Sequence, residues 1–509
     1  MHFLKRYYLP ITVFITGACV LVIEVVATRI LAPYFGNTMF TVSSVLGVVL
    51  AALSFGYYLG GRLADRRPQT RLFFGLILVS GLSVFVLHWM QVMFLSSLGS
   101  VLPLTTGPLI ASALLFFLPA FILGTLSPFA IKLQDVQNKK QGIGSIAGEM
   151  FFFSTFGSIF GSLIAGYVLI PNLGVDVIVV STGVVLAALG LVPLVLLGMN
   201  KKLTVKIGVV VVTMVLLSVV GKPMVEATVY SKNGMYEKIT INDAEYNGRP
   251  ARFLFQDRST SGGMFLDSDT DMVFNYSKYY ALHEVFTPTL KNTLVIGGGA
   301  YTIPKALLQT DPDVRVDVAE IEPSLVGLSK KYFNVPDSPR LHHYIEDGRR
   351  LLHDVPHRYD MIFSDVYYSL YSIPMHFTTQ EFFRAAYDKL NDDGIFVANI
   401  IGSLEDRSPS LIRSELKTIK TVFPNAYLFA VESPHSNEVQ NIILVGHKNK
   451  QKRTFDSAVL QQSKYEVVQT LAEKQVDLAN FSVDDHQLLT DNFAPVESWT
   501  AHLLRRHVR

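Results

Sequence analysis

The sequence has 509 residues, of which 50% are hydrophobic and 17% are charged. A chain of this length exceeds one hydrophobic core, and its apolar excess is unusual for a soluble protein, so we expect at least two domains. The formal net charge of +2 is too small to indicate binding to nucleic acid, and we expect no such partner. The single cysteine, Cys19, excludes an intrachain disulfide.

Long apolar runs follow one another in the N-terminal part, whereas charged residues return at ordinary density from about residue 225. The candidate spans are 9–31, 40–61, 72–90, 108–131, 150–170, 175–197 and a shorter run, 207–220. A helix of ~20 apolar residues is long enough to cross a bilayer. We therefore predict an N-terminal α-helical transmembrane bundle of about seven helices over residues 1–222, in contact with the lipid bilayer of the cell membrane.

Basic residues concentrate in alternate loops of this bundle. They are Arg62, Arg66, Arg67 and Arg71 in the first such loop, Lys132, Lys139 and Lys140 in the second, and Lys201, Lys202 and Lys206 in the third. The positive-inside rule places these loops and the N-terminus in the cytoplasm. Because the last run is shorter than a normal span, we expect it not to cross, which leaves the C-terminal half in the cytoplasm as well.

Strands and helices alternate in the C-terminal half, which indicates an α/β fold. Buried strands are predicted at 292–297, 314–321, 342–346, 359–365 and 394–400. Thr378 and Glu381 form a predicted capping box before a helix. We predict a Rossmann-like, class I methyltransferase-like domain over residues 223–450, which starts with a small β segment. A C-terminal extension, 451–509, is expected to pack on this domain.

Glycines and carboxylates stand at the ends of these strands. They are Gly297, Gly298 and Gly299 after the first strand, Glu320 after the second, Asp347 and Gly348 after the third, and Asp365 after the fourth. A glycine turn lets the backbone approach a bound nucleoside, and an acidic residue after the second strand suits a ribose diol. Asp347 can accept a hydrogen bond from an adenine amino group. Since the carboxyl ends of parallel strands share one edge, Asp365 should lie over the same crevice.

Several segments match a known family. They read Leu-Val-Ile-Gly-Gly-Gly (294–299), Val-Ala-Glu-Ile-Glu (318–322), Ile-Glu-Asp-Gly (345–348), Tyr-Asp-Met-Ile-Phe-Ser-Asp (359–365) and Phe-Thr-Thr-Gln-Glu-Phe-Phe (377–383). With these segments the chain resembles the polyamine aminopropyltransferases of the spermidine synthase family, and especially the members fused to a membrane bundle. Segments 31–36, 124–132 and 489–497 resemble the fused group as well, so the resemblance covers most of the chain.

The resemblance implies aminopropyl transfer in polyamine biosynthesis, from decarboxylated S-adenosylmethionine to an amine acceptor such as putrescine. The donor is a co-substrate, and neither a prosthetic group nor a metal is expected. Asp365 matches the family's first catalytic aspartate and would take the proton of the attacking amine, since an alkylammonium with a pKa of ~10.4 has no lone pair. His283 and Glu284 resemble the family's Tyr-His-Glu element, with Leu282 in place of the tyrosine, and would bind substrate.

The amine side of the resemblance shows departures. Ala300 stands where the family has an aspartate that engages the amine end of the donor, and Ser261 lies near the place of a substrate-side glutamine. The catalytic loop reads Asp-Val-Tyr-Tyr-Ser from Asp365, so Tyr368 replaces the second aspartate. We expect Tyr367 and Tyr368 to bind substrate, because a tyrosine face holds a cation by ~0.5–2 kcal/mol. The donor class is therefore better determined than the acceptor.

Two other interpretations stay open. The ligand could be S-adenosylmethionine itself, with methyl or aminocarboxypropyl transfer to another acceptor, which Ala300 favours. Alternatively, the bundle transports or senses a polyamine or a related cation, and the soluble domain is a regulatory nucleoside-binding domain. Glu24 and Arg29, both inside the first apolar run, would then be the functional pair. The sequence leaves the acceptor and the oligomeric state open, a homodimer included.

Overall fold

The computed structural model describes residues 2–139, 141–220, 228–287, 289–366, 373–405 and 407–507. The chain divides into two compact units, Met1–Val225 and Glu226–Arg509. The described part of the first unit is helical, whereas the second unit combines two β-sheets with helices. Each unit buries hydrophobic clusters of its own.

Helices, most of them long and apolar, build the described part of the N-terminal unit. They are α1 (His2–Phe35), α2 (Met39–Arg66), α3 (Thr70–Val101), α4 (Gly107–Gly124), α5 (Leu126–Gln137), α6 (Ile143–Ile164), α7 (Ile170–Asn172), α8 (Val175–Leu196) and α9 (Lys201–Val220), with a π-helical turn at Ala165–Leu169. Among the described residues, six helical segments are long and apolar enough to cross a membrane: Tyr7–Phe35, Met39–Arg66, Thr70–Gly99, Gly107–Gln137, Ile143–Asn172 and Val175–Leu196. The prediction of about seven helices agrees roughly with this number, and the seventh predicted span, 207–220, lies within α9.

Glycines let three pairs of these helices touch backbone to backbone. A Cβ atom on Gly157 of α6 would lie 2.0 Å from the carbonyl oxygen of Phe14 in α1. In α2, a Cβ atom on Gly56 would lie 2.4 Å from the carbonyl oxygen of Phe121 in α4, and Gly190 of α8 approaches the backbone of α3 equally closely. Small residues favour such contacts between membrane helices, because dispersion forces and weak polar contacts act only at short range.

The three basic loops lie at one end of the bundle. The Nζ atom of Lys132 lies 3.2 Å from Oδ1 of Asp65, which joins the second basic loop to the first. Arg71 donates a hydrogen bond from Nη2 to the carbonyl oxygen of Leu197 at 2.5 Å, which joins the first loop to the start of the third. The loops that the positive-inside rule assigns to one side are thus neighbours in space.

Two β-sheets build the C-terminal unit. Their strands are β1 (Thr228–Asn233), β2 (Lys238–Tyr246), β3 (Arg249–Gln256), β4 (Ser259–Phe265), β5 (Asn292–Ile296), β6 (Arg315–Ala319), β7 (Leu341–Tyr344), β8 (Tyr359–Ser364), β9 (Leu390–Gly402), β10 (Asn425–Ala430) and β11 (Gln440–His447). The first four form an antiparallel sheet, and the other seven form a sheet in the order β10-β11-β9-β8-β5-β6-β7. In this larger sheet β5 to β9 are parallel, whereas β11 runs antiparallel to both of its neighbours. The predicted Rossmann-like class with a small β segment is confirmed.

Ten helices accompany the strands in the described part of this unit. They are α10 (His283–Phe286), α11 (Thr302–Thr310), α12 (Ser324–Tyr332), α13 (Gly348–Asp354), α14 (Gln380–Lys389), α15 (Leu411–Lys420), α16 (Ser457–Leu460), α17 (Glu466–Gln469), α18 (Leu471–Lys474) and α19 (Val496–His507), with 3₁₀ segments at Tyr276–Leu282 and Met375–Phe377. Alternate side chains of a strand point to opposite faces. Val295 of β5 accordingly joins one apolar cluster and Leu294 joins another, so the sheet is buried on both faces.

The chain after β11 packs back on this sheet and its helices. The backbone N–H of Gln380 donates to the carbonyl oxygen of Leu489 at 2.9 Å, and the N–H of Leu489 donates to Oγ1 of Thr418 at 3.0 Å. Arg413 of α15 donates from Nη1 to the carbonyl oxygen of Ser482 at 2.5 Å. These contacts attach the C-terminal segment to α14 and α15.

Helix α14 begins one residue later than the sequence predicts. Thr379 is its N-cap, because its Oγ1 accepts the N–H of Phe382 at 3.4 Å, and the cap does not fall on Thr378. Glu381 therefore occupies the second helical position and cannot close the predicted capping box, which needs a side chain at the third. Its Oε2 accepts instead from the backbone N–H of Asp491 at 3.0 Å.

Candidate functional site

The predicted site residues after β5 and β8 meet at a crevice. The chain leaves β5 towards β6 and β7 on one side and returns to β8 on the other side, so the strand order reverses between β5 and β8. Ligands of open α/β sheets bind at such a switch point, outside the carboxyl ends of the strands. The N–H of Asp365 donates to the carbonyl oxygen of Ile296 at 2.8 Å, and a Cβ atom on Gly297 would lie 2.3 Å from the carbonyl oxygen of Asp365.

The turn after β5 depends on glycine. Gly297 has φ +91° and Gly299 has φ +50°, in the left-handed region that side chains disfavour. A Cβ atom on Gly299 would also lie 2.2 Å from the carbonyl oxygen of Ser261 in β4. Gly348, at the start of α13, approaches Ile296, with 2.1 Å between its missing Cβ and Cγ2 of Ile296. The small sheet and α13 therefore hold the turn from two sides.

Glu320 anchors the glycine turn. This residue is only 3% exposed. Its Oε2 accepts from the N–H groups of Gly298 at 2.8 Å and Gly299 at 3.3 Å, and its Oε1 accepts from the N–H of Glu322 at 2.8 Å. Burial raises the pKa of the Glu320 carboxyl, although the three backbone N–H groups oppose the rise. A carboxylate offers about four acceptor sites, and these three N–H groups occupy three of them.

Asp347 lies at the N-terminus of α13 with both oxygens engaged. Its Oδ1 accepts from the backbone N–H groups of Arg349 and Arg350 at 2.9 and 3.1 Å, which makes Asp347 the N-cap. Its Oδ2 lies 3.0 Å from Nε2 of His376. Burial acts to raise the pKa of the Asp347 carboxyl, but the contacts with His376 and the two backbone groups outweigh it and lower the pKa.

Asp365 is partly buried at the end of β8 and is held by polar side chains from two directions. Nδ2 of Asn399 in β9 donates to Oδ1 of Asp365 at 2.9 Å, and Nδ2 of Asn441 in β11 donates to Oδ1 of Asn399 at 2.9 Å. The hydroxyl of Tyr276 donates a further hydrogen bond to the Asp365 carboxylate. Burial raises the pKa of Asp365 to about 6, although the hydrogen bonds from Asn399 and Tyr276 act to lower it.

His283 and Glu284 make their contacts at another place. Nε2 of His283 lies 3.5 Å from Oδ2 of Asp311. Asp311 stands at the C-terminal end of α11, whereas the glycine turn lies before the N-terminal end of this helix. The hydroxyl of Ser463 donates to the Glu284 carboxylate, and the ring of His283 packs against Tyr465. Both residues thus connect α10 to the chain after β11. Their predicted part in substrate binding stays a prediction.

The structure describes only some of the residues at which the amine side departs from the family pattern. Ala300 is 1% exposed, and a Cβ atom on Gly262 of β4 would lie 2.4 Å from the Cβ of Ala300, so β4 covers this position. Tyr367 and Tyr368 lie outside the described residues.

Within the described ranges, no group of three or more His, Cys, Asp or Glu side chains is arranged to hold a metal ion.

Three residues of the crevice were missed by the sequence interpretation. Asn399 could have been predicted, because it is a lone amide in the apolar strand 394–400. In the structure this strand pairs with the strand that ends before Asp365. Tyr276 and His376 could not have been predicted, since each meets its carboxylate partner only through the tertiary fold.

The matching family model is the spermine/spermidine synthase domain, which covers residues 279–457. Among curated relatives, the polyamine aminopropyltransferase of Vibrio vulnificus is 26% identical over 239 residues, which are 45% of this chain and 76% of the relative. Polyamine aminopropyltransferase 1 of Aquifex aeolicus is 28% identical over 222 residues, 41% of this chain and 72% of the relative. A crystal structure of a probable spermidine synthase from Corynebacterium glutamicum is 22% identical with a TM-score of 0.44 and covers 54% of this chain and 99% of that chain.

The parallel sheet, the glycine turn and the carboxylates at its carboxyl edge define a Rossmann-like domain of the class I methyltransferase type. The matched domain and the named relatives narrow this fold class to one group of proteins. Residues 279–457 match the spermine/spermidine synthase domain, and the C-terminal unit is thereby similar to the spermidine synthases, which are transferases.

Proposed function

We propose that the chain transfers an aminopropyl group from decarboxylated S-adenosylmethionine to an amine acceptor of the putrescine type. The observation that carries this proposal is the Asp365 carboxylate. It lies at the switch point beside the glycine turn, Tyr276 and Asn399 hold it, and its pKa is raised to about 6. A base is most effective when its pKa approaches the working pH. The match of residues 279–457 to the spermine/spermidine synthase domain and the similarity to polyamine aminopropyltransferases support the same reaction class.

In the proposed reaction the acceptor amine first gives a proton to Asp365 and so gains a lone pair. The amine nitrogen then attacks the aminopropyl carbon that is bound to the sulfonium. A new C–N bond forms, the C–S bond breaks, and its electron pair stays on sulfur, which leaves methylthioadenosine as a neutral thioether. The sulfonium needs no protonation, so the main tasks of the protein are alignment of donor and acceptor and removal of the proton.

The donor's nucleoside would lie along the turn, as in other folds with a glycine-rich turn after the first parallel strand. Glu320 would use its remaining acceptor site for a ribose hydroxyl while its other sites keep the turn in shape. Asp347 would accept from the adenine amino group through Oδ2, which it shares with His376. Gly298 and Gly299 would let the backbone approach the ligand.

A second candidate donor is S-adenosylmethionine itself. Ala300 favours it, because the buried alanine offers no carboxylate to the donor's amine end, and therefore none to repel a donor carboxylate. Transfer would then involve a methyl or an aminocarboxypropyl group. The two donors differ in their products, so one assay separates them.

We further propose that the bundle anchors the enzyme in the cell membrane, with the basic loops and the transferase unit on the cytoplasmic side. The clustering of Lys132, Arg71 and Leu197 at one end of the bundle supports a common side for the loops. A reporter that is active only in the cytoplasm, fused after Arg509, tests the side. An inactive reporter, together with an active periplasmic one, would show that α9 crosses and that the proposed side is wrong.

The decisive experiment offers the purified full chain each donor with a panel of amines and follows the products by mass spectrometry. Methylthioadenosine and an aminopropylated amine, formed only from the decarboxylated donor, are the expected result. S-adenosylhomocysteine, or methylthioadenosine formed from S-adenosylmethionine, would favour the second candidate. Binding of methylthioadenosine without turnover of either donor would contradict the proposed enzyme and favour a regulatory domain.

A further inference from the structure

The late segment 489–497 makes contacts beside the candidate nucleoside site. Oδ1 and Oδ2 of Asp491 accept hydrogen bonds from Nη1 and Nη2 of Arg349 at 2.7 and 2.5 Å. Oδ1 also accepts from the hydroxyl of Thr379 at 2.8 Å, and the N–H of Asp491 donates to Oε2 of Glu381 at 3.0 Å. Asp491 is thus fixed between α13 and α14 by four hydrogen bonds.

Arg349 connects Asp491 to Asp347 through a closed ring of contacts. The backbone N–H of Arg349 donates to Oδ1 of Asp347 at 2.9 Å, and its Nη1 donates to the carbonyl oxygen of His376 at 3.2 Å. The His376 ring returns to Asp347, with its Nε2 atom 3.0 Å from Oδ2. Oδ2 of Asp347 therefore contacts a histidine whose carbonyl oxygen the Arg349 guanidinium holds.

The ion pair that fixes this guanidinium has favourable geometry. Two parallel N–H···O bonds between a guanidinium and a carboxylate give directional specificity that a single charge contact lacks. The Arg349 side chain is only 19% exposed, whereas that of Asp491 is 44% exposed. The hydrogen bond from Arg349 lowers the pKa of the Asp491 carboxyl, so the contact stabilises the charged form of this side chain.

We propose that Asp491 is a positioning residue for the base of the nucleoside: it holds Arg349, and through Arg349 and His376 it orients Asp347 towards the 6-amino group of adenine. This inference rests on the proposed function, because it assumes that Asp347 accepts from that amino group. It has a consequence that a purely structural ion pair lacks. Loss of Asp491 weakens recognition at position 6 of the purine and leaves the rest of the nucleoside contacts in place.

The test compares two ligands of the full chain, purified in detergent, by calorimetric titration. One ligand is methylthioadenosine, and the other carries hydrogen in place of the 6-amino group. We expect Asp491→Ala to bind methylthioadenosine about tenfold more weakly than wild type, a coupling usual within one hydrogen-bond network. Its affinity for the second ligand should stay near the wild-type value, so the preference between the ligands falls. Asp477→Ala is the matched control, since Asp477 lies in the same C-terminal segment and accepts only local contacts from Ala479 and Asn480 among the described residues.

Further variants separate the possible outcomes. Arg349→Ala should lose the same preference for the 6-amino ligand as Asp491→Ala. The double variant Asp491→Ala/Arg349→Ala should lose no more of it than either single variant does. A lower melting temperature with an unchanged ligand preference would reduce Asp491 to a structural contact and overturn the proposal. If Asp491→Ala does not fold, Asp491→Asn keeps the side-chain shape and gives the same readout. Failure of wild type to bind either ligand would overturn the nucleoside site itself, whereas normal wild-type binding with the preference kept in both Asp491 variants would overturn only the role of Asp491.

Discussion

Glycines bring backbones into contact in both units, but they serve different purposes there. In the N-terminal unit Gly157 lies against the carbonyl of Phe14 within regular helices, so its missing side chain serves helix packing. In the C-terminal unit Gly297 and Gly299 have positive φ angles, and Ser261 covers the turn that they form. A substitution in the bundle should therefore weaken folding, whereas a substitution in the turn should change ligand binding while the core stays intact.

The largest effect is expected from a substitution that removes the proposed proton acceptor and leaves every backbone contact in place. Asp365→Asn should lower aminopropyl transfer by ~10²–10⁴-fold, the usual contribution of a positioned acid or base. Affinity for methylthioadenosine should stay near wild type, because the variant keeps the turn. Product formation by mass spectrometry and calorimetric binding measure the two quantities. Asp313→Asn, an exposed aspartate in the loop before β6, is the control. Retained turnover in Asp365→Asn would remove this residue from the mechanism.

The same variant reports on the pKa of Asp365 through stability. Because the pKa is raised to about 6 in the folded chain, the folded state binds the proton more tightly than the unfolded state. This stabilising contribution is complete below the unfolded value of about 4 and is lost as the pH rises through about 6. Between pH 4 and pH 8, the free energy of unfolding of Asp365→Asn should therefore rise by up to about 3 kcal/mol relative to that of wild type. If the stability of both proteins, measured by thermal unfolding, depends on pH in the same way across this range, the raised pKa is contradicted.

The second prediction compares a turn glycine with a helical one in the same unit. Gly299→Ala should weaken methylthioadenosine binding more than tenfold, because a left-handed φ costs about 1–2 kcal/mol and the new methyl group meets the Ser261 carbonyl. Gly327→Ala in α12 is the matched control, since a Cβ atom there has open space. The control should bind normally and gain slight stability. Equal affinities in the two variants would show that the turn does not contact the ligand.

The third prediction applies the same comparison to the bundle. Gly157→Ala should destabilise the bundle by about 1–3 kcal/mol, because its Cβ would lie 2.0 Å from a backbone oxygen of α1. Gly148→Ala in the same helix, where a Cβ atom has open space, is the control. Thermal unfolding in detergent measures the difference. Methylthioadenosine affinity should be the same in both variants, and a selective loss in Gly157→Ala would contradict the division of roles between the units.

The elements that could be predicted from the sequence are those whose signal is local. The run that ends at Asp365 is apolar, and in the structure it forms β8, while the glycines after 296 interrupt an apolar strand and form the turn. β10, β11 and α15, beyond residue 402, were not predicted, because nothing local indicates that β11 inserts antiparallel beside β9. The capping box was displaced by one residue, since two adjacent threonines, Thr378 and Thr379, compete for the same role.

The candidate site could be predicted to a similar extent. The position of Glu320, Asp347 and Asp365 at one edge of the sheet could be predicted, because each follows a strand in the sequence. Their partners could not be found in the same way. His376 reaches Asp347 from the chain before α14, and Asp491 reaches Arg349 across 142 residues, so only the packing of the C-terminal segment brings them together.

The smallest expected effect concerns the pH dependence of the reaction. The hydroxyl of Tyr276 donates to the Asp365 carboxylate and so stabilises its charged form. Tyr276→Phe removes this bond and should raise the pKa of Asp365 further, by about one unit. Since the reaction needs the ionised carboxylate, the acidic limb of kcat/KM should move to higher pH while the plateau at alkaline pH stays near wild type. Tyr280→Phe is the matched control, because the Tyr280 hydroxyl bonds to Thr310 and Tyr465 instead. A loss of kcat/KM at every pH, without a shift of the limb, would show that Tyr276 contacts the substrate itself and does not act through Asp365.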